Sequence, residues 1–262
     1  DVCSSDLDVC SAELNHDVES YRLWRPVERE QDSLARHGIG ADFTPCGLVW
    51  SGFRPSDDRC RLPFHIPSNM YLAACLRRLR PLAESAGRDD LASRMAMLHE
   101  TLVTALSLVF AQHGRWVYEV DGRGNAVAED DPNMPSLLSA PLFGWCAVDD
   151  AEYQRNRAEL LSPGHVNFVD VAGVSGLQSE HTPTGYVWPI SIAVIGLTAA
   201  DQLQRMKCLE ALELTDAGTG YMHESFNPSD PSDFTREWFS WADMMYVQLV
   251  LVRFRPHQND RV

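Results

Sequence analysis

A mostly α-helical fold is what three features of this sequence predict. Apolar residues recur at spacings of three and four in two long segments, helix-favouring ends flank those segments, and β-prone runs are few and short. With 262 residues, 45% of them hydrophobic and 23% charged, the chain can bury a large core and lies far from the composition of a disordered one.

The first ten residues, DVCSSDLDVC, start DVCS at Asp1 and again at Asp8 and carry neither helical nor strand period. The run VCSSDL resembles translated sequencing-adapter readthrough, so residues 1–12 are set aside from the fold as a non-native segment. Residues 13–37 read as helical, with a break at Pro26 and a stop at Gly38. Pro67 then opens an amphipathic helix whose stripe is Leu72, Cys75, Leu76, Leu79 and Leu82. Asp89 and Asp90 precede Leu91, Met95, Leu98, Leu102, Leu106 and Val109, which trace one helix face as far as Gly114.

RWVYEV at 115–120 is β-prone and is closed by the turn DGRGN, which predicts a small strand or hairpin. Helical patterns return at 150–161, 188–199, 201–215 and from Thr235 to Phe254. The last carries Trp238, Trp241, Met245, Leu249 and Val252 on one face, with Asp233 as its cap.

Lys plus Arg is 22 against 37 for Asp plus Glu, a net charge of −15. Such a surface repels phosphate backbones and anionic lipid, so nucleic acid and membrane are poor partners. No uninterrupted apolar run reaches the ~18 residues of a membrane span, and no basic-then-apolar leader opens the chain. Seven cysteines, an odd number without a CxxC pair, point to reduced thiols and a cytoplasmic setting. The sequence sets no oligomeric state.

Four long loops hold most of the chemistry: WSGFRPSDD (50–58), EDDPNMPSLL (129–138), SEHTPTGYVWP (179–189) and YMHESFNPSDPSDFTREWFSW (221–241). Aromatic faces beside carboxylates and amides suit a sugar, whose C–H faces pack on rings while its hydroxyls take hydrogen bonds. Glycoside cleavage needs two carboxyl groups, and Asp57, Asp58, Asp130, Asp131 and Glu224 are the candidates. Against this, adjacent acids more often cap a turn or face water. His65, His165, His181 and His223 lie outside the strongest helices, but no HExxH, paired CxxC or EF-hand spacing accompanies them, and a metal is the weaker reading. DGRGN lacks a following helix and a Walker lysine, and reads as a turn rather than a nucleotide loop.

The strings WSGFRPSDD and HIPSNM, followed in order by YEVDGRGN, DDPNMPSLL, SEHTP, YVWPI, YMHESF and FTREWFSWAD, resemble the motifs of glycoside hydrolase family 125 from about Asp32 to the C-terminal region. Glu180, Pro132 and Met134 stand where the family pattern has proline, alanine and valine. The resemblance implies an (α/α)6 toroid, here incomplete because upstream helices and a PAMWLRDS-type motif are absent. It implies hydrolysis of terminal α-1,6-linked mannose with inversion, without metal or other cofactor. The general acid falls in RPSDD, at Asp57 or Asp58, and the base at Glu224. In an inverting pair the two carboxyls stand ~6.5 to 9.5 Å apart, so these residues must converge by folding.

Around them, Trp50, Arg54, Asp130, Asp131, Asn133, His181 and Trp188 are candidate contacts to an α-mannoside oligosaccharide. Trp188 and Trp238 read equally well as core, and Arg54 as a neutralising partner of the aspartates. Two other readings stay open: a catalytically silent carbohydrate-binding fragment, and another helical-toroid sugar enzyme such as an epimerase with a histidine base.

Overall fold

The computed structural model describes residues 2–20 and 22–253, and the chain divides into two compact units. The first holds residues up to 130 together with 135–146; the second holds 131–134 and the residues from 147 onward. Helices dominate both, and the strands are short.

In the first unit, α1 (Val2–Glu13) is followed by a long stretch without regular structure, broken by a 3-10 turn at Glu30–Asp32 and the short α2 (Ala35–Gly38). The helix expected over 13–37 is therefore absent, and helix instead covers the segment set aside at the N-terminus. Residues 22–38 fold back on themselves through Leu23 N–H to Gly38 O (3.1 Å) and Leu34 N–H to Leu23 O (3.3 Å). Pro26 cannot donate an intrahelical bond, and this looped-back pairing takes the place of a helical ladder.

Strand β1 (Phe64–His65) leads into α3 (Ile66–Ser85), which has Pro67 in its first turn and His65 as cap, its ring accepting from Ser68 N–H. Helix α4 (Asp89–His113) follows and ends at Gly114, whose φ of +69° is the left-handed geometry of a helix stop. The two pack together, and the His99 ring takes a 2.8 Å bond to Ala73 O. That contact explains a correction to the predicted stripe. The face α3 buries is Met70, Ala73, Ala74 and Leu76, whereas Leu79 and Leu82 are 45% and 65% exposed. Small alanines admit the α4 backbone, and the outer leucines turn away.

Leu91, Met95, Leu98, Leu102 and Leu106 of α4 are buried as their spacing predicts. Among the described residues α4 is also the one helix long and apolar enough, by length and composition, to cross a membrane. Strands β2 (Glu119–Val120) and β3 (Ala126–Val127) form the hairpin read from RWVYEV and DGRGN, and β2 also pairs antiparallel with β1.

The second unit begins its regular structure with α5 (Ala151–Leu160), capped by Asp150. The hairpin of β4 (Phe168–Val171) and β5 (Val174–Leu177) precedes α6 (Pro189–Leu197), of which residues 189–196 are all buried. α7 (Gln202–Leu214), capped by Asp201, and α8 (Ser240–Arg253) flank α6. Gly196 permits this close approach, since a Cβ there would lie 2.9 Å from Leu249 Cδ1 and 3.0 Å from Cys208 Cβ.

Between α7 and α8 lies a second hairpin, β6 (Phe226–Asn227) and β7 (Asp230–Phe234), absent from the sequence expectation. It shortens the predicted last helix. Thr235 pairs with Ser225, and Asp233 accepts from the Tyr186 hydroxyl at 2.5 Å instead of capping α8. Phe254 lies outside the described residues. Cys10, Cys46, Cys60, Cys75 and Cys208 are free thiols.

Candidate functional site

In the first unit the WSGFRPSDD segment is a tight reversal. Phe53 and Arg59 bridge, Arg54 N–H bonds Asp58 O at 2.8 Å, and Asp57 N–H bonds Arg54 O at 3.0 Å. Asp57 takes the left-handed conformation (φ +67°) at the tip, a geometry that Asp tolerates better than most non-glycine residues, and it is exposed. Asp58 is 0% exposed, accepts the Ser56 hydroxyl at 2.8 Å and is ion-paired to Arg29. Two adjacent carboxylates thus have opposite environments.

Arg54 is buried among acids and an aromatic ring. Its Nε donates to Glu119 Oε1 at 2.5 Å, its guanidinium lies 5.2 Å from the Tyr118 ring centroid, and Glu129 stands 3.4 Å from it. Glu119, fully buried in β2, also accepts from the backbone N–H groups of Arg61 and Leu62 at 3.0 Å each. The pair ties the reversal to the sheet. Trp50 is 6% exposed and stacks on His16, with ring centroids 3.8 Å apart. Asp130, at 0% exposure, accepts from the N–H groups of Leu137 and Leu138 at 2.8 and 2.9 Å and so orders the loop 130–138.

Behind the reversal, His65 is held neutral by burial, with the Arg54 charge adding to the effect, and its pKa falls to about 3. Its Nδ1 already accepts Ser68 N–H, so the neutral ring carries its proton on Nε2.

The second unit gathers the other candidates. Asp131 accepts from Asn133 N–H (2.9 Å), from Asn133 Nδ2 (2.8 Å) and from the Ser179 hydroxyl (2.5 Å). Ser179 Oγ in turn accepts His181 N–H, and Trp188 Nε1 donates to Thr182 Oγ1 at 2.9 Å. Asp131, Asn133 and Trp188 are buried, whereas His181 is half-buried, its ring edge-on to Trp188 at 6.2 Å. Val187 pairs with Phe226 through reciprocal bonds of 2.9 and 3.0 Å, which joins the loop 179–189 to the MHESF segment.

MHESF itself lies antiparallel to FTREWF. Thr235 N–H bonds Ser225 O, Glu224 N–H bonds Arg236 O, Phe239 N–H bonds Met222 O, and His223 Nδ1 bonds Glu237 O at 2.7 Å. Glu224 is 5% exposed, with the Thr235 hydroxyl 3.0 Å from Oε2 and Arg236 Nε 3.3 Å from Oε1. Trp188 is 1% exposed and packs as core, while Trp238 is 62% exposed and does not. Among the described residues no group of three or more His, Cys, Asp or Glu is placed to hold a metal ion.

Sequence reading missed Arg29, Glu119, Ser179 and Thr235. Glu119, Ser179 and Thr235 lie inside the resembling strings YEVDGRGN, SEHTP and FTREWFSWAD, so a signal was present, whereas Arg29 precedes the resemblance.

A family model described as metal-independent alpha-mannosidase (GH125) matches residues 4–251. The chain belongs to that family. The match begins at residue 4, upstream of Asp32, where the motif resemblance starts. A curated relative, the meiotically up-regulated gene 157 protein of Schizosaccharomyces pombe, is 33% identical over 250 residues, which are 90% of this chain and 48% of that protein.

A solved structure from Streptococcus pneumoniae is 36% identical, with a TM-score of 0.90 over 97% of this chain and 62% of its own. Its description names a family of metal-independent alpha mannosidases, the processing of N-linked glycans, and a non-productive complex with alpha-1,6-mannobiose. The chain therefore spans about half of the one relative and under two thirds of the other. Its family is one of glycoside hydrolases acting on α-mannosides.

Proposed function

We propose that this GH125 chain serves the hydrolysis of terminal α-1,6-linked mannose with inversion, with Asp57 as general acid and Glu224 as general base. The supporting observation is the split between the adjacent aspartates. Asp57 presents an exposed carboxylate at the tip of its reversal, whereas Asp58 is enclosed and paired with Arg29. A proton donor must reach the leaving oxygen, which favours the exposed carboxylate over one held in a buried ion pair.

In this reading Glu224 deprotonates the attacking water, which adds to the anomeric carbon as the bond to the leaving sugar breaks. Asp57 gives its proton to the departing oxygen, and mannose leaves in the β configuration. His181, half-buried beside Trp188, supplies a sugar contact. Asp131 and Asn133 order the loop beneath it. The (α/α)6 toroid belongs to the same reading and draws on the likeness to the S. pneumoniae chain.

The test is incubation with α-1,6-mannobiose, followed by NMR of the anomeric protons with and without EDTA. Early β-mannose, insensitive to the chelator, is expected. Early α-mannose would mean retention. Binding of the disaccharide without release of mannose would favour the carbohydrate-binding alternative.

A further inference from the structure

The Thr235 hydroxyl sits among four polar groups, and counting its valences fixes where its proton goes. Ser225 N–H points at Thr235 Oγ1 from 3.2 Å, and Ser225 Oγ lies 3.1 Å away. Three acceptors compete for the single hydroxyl proton: Glu224 Oε2 at 3.0 Å, Ser225 Oγ at 3.1 Å and Ser225 O at 3.5 Å. Ser225 O already accepts Thr235 N–H at 3.0 Å, while the carboxylate is the strongest acceptor of the three and the nearest. The proton therefore goes to Glu224. Ser225 fills the two lone pairs of Thr235 Oγ1 as donor, and one donor with two acceptor sites is all a hydroxyl has.

We propose that Thr235 is the positioning residue of Glu224: its hydroxyl, oriented by Ser225, fixes the rotation of the carboxylate and so leaves Oε1 to face the water. The inference rests on the reading of Glu224 as base. Arg236 also approaches the carboxylate, but its side chain is 59% exposed and its separation is 3.3 Å, so solvent screens it and it holds the group weakly. Thr235 acts from the backbone-paired side, where Glu224 N–H and Thr235 N–H are both in the ladder, so the hydroxyl has little freedom to leave.

The experiment compares Thr235→Val, which keeps the shape and removes the hydroxyl, with Thr235→Ser, which keeps the hydroxyl, on α-1,6-mannobiose. A misplaced catalytic group costs up to about 100-fold, so Thr235→Val should lower kcat by roughly 10- to 100-fold with KM little changed, and Thr235→Ser should stay close to the unaltered rate. In a Glu224→Gln background, Thr235→Val should cause no further loss, because the two act as one unit. Equal loss in the valine and serine variants, or full kcat in the valine variant beside a crippled Glu224→Gln, overturns the proposal. A Glu224→Gln variant that turns over normally fails the base assignment itself and is seen separately. A crystal structure of Thr235→Val gives a reading independent of turnover: a rotated Glu224 carboxylate supports the proposal, and an unmoved one overturns it.

Discussion

Arg54 and Glu119 meet at 2.5 Å with side chains 2% and 0% exposed, so the reversal that carries Asp57 hangs on a buried ion pair with the sheet. A buried pair need not exceed a well-packed apolar pair in stability, but removing one partner leaves a charge without compensation in low dielectric. What the pair secures is placement: Arg54 N–H and O close the turn whose tip is Asp57.

Glu119→Ala should therefore destabilise the protein by about 3 to 5 kcal/mol, as broken buried pairs do. Glu129, 3.4 Å from Arg54 and less enclosed, is the secondary partner, and Glu129→Ala should cost markedly less. Chemical denaturation of the two variants measures the difference. Equal losses would place the main anchor elsewhere.

His65 gives a pH dependence whose sign follows from its burial. Its folded pKa is lowered to about 3 from 6.5, so between those values the unfolded chain binds a proton that the folded one refuses. The stability from this group is complete above pH 6.5 and is lost as pH falls toward 3, at up to ~1.4 kcal/mol per pH unit. Asparagine can still cap α3 but does not titrate. The Tm of His65→Asn should fall less steeply than that of the unaltered protein between pH 6 and pH 4, compared by calorimetry so that carboxylates common to both cancel. Parallel curves would show that the ring does not carry this dependence.

The helices are legible where periodicity and a stop signal agree, as in α4 with its leucine spacing and Gly114 stop, and the patterns at 150–161 and 201–215 become α5 and α7. Periodicity misled at α3, because Leu79 and Leu82 repeat as regularly as the alanines that pack. It also misled near the C-terminus, where Thr235 and Trp238 extend a helical spacing into a segment whose backbone is bound to MHESF. Hydrogen bonding between residues ten or more apart has no local signature. The same limit hid the site's supports. Asp57 and Glu224 stand out as carboxylates in aromatic loops, but only the folded chain shows Arg29 on Asp58, Glu119 beneath Arg54 and Ser179 on Asp131.

Helix α8 presents Trp241, Met244, Val247 and Leu251 at 42% to 59% exposure, all along one side, while Ala242 and Leu249 are buried. Contiguous exposed apolar side chains of this size bind hydrophobic probes. The 262-residue chain should enhance anilinonaphthalene sulfonate fluorescence in its folded state. Met244→Glu should reduce the signal while changing stability by no more than ~0.5 kcal/mol, as exposed substitutions generally do. A signal indifferent to that substitution would move the binding surface off α8.

The two carboxyl roles separate by leaving group. Asp57→Asn keeps a residue type that accepts φ +67° and removes only the proton donor, so its Tm should hold. On α-1,6-mannobiose it should be slowed by the ~10² to 10⁴-fold typical of lost acid assistance. An aryl mannoside with an acidic phenol hardly needs protonation on departure, and on it the variant should recover much of that loss. Glu224→Gln should be slow on both substrates, since water must be deprotonated whatever leaves. Asp58→Asn should behave differently again: it breaks the pair with Arg29 in a fully buried position, so it should lower the Tm, and its rate loss should not depend on the leaving group. Steady-state kinetics on both substrates, with thermal melts of each variant, decide the matter. Should the leaving-group rescue fall to Asp58→Asn, the acid is Asp58 and the ion pair with Arg29 must open before catalysis. Should neither aspartate variant show it, proton donation does not come from this reversal.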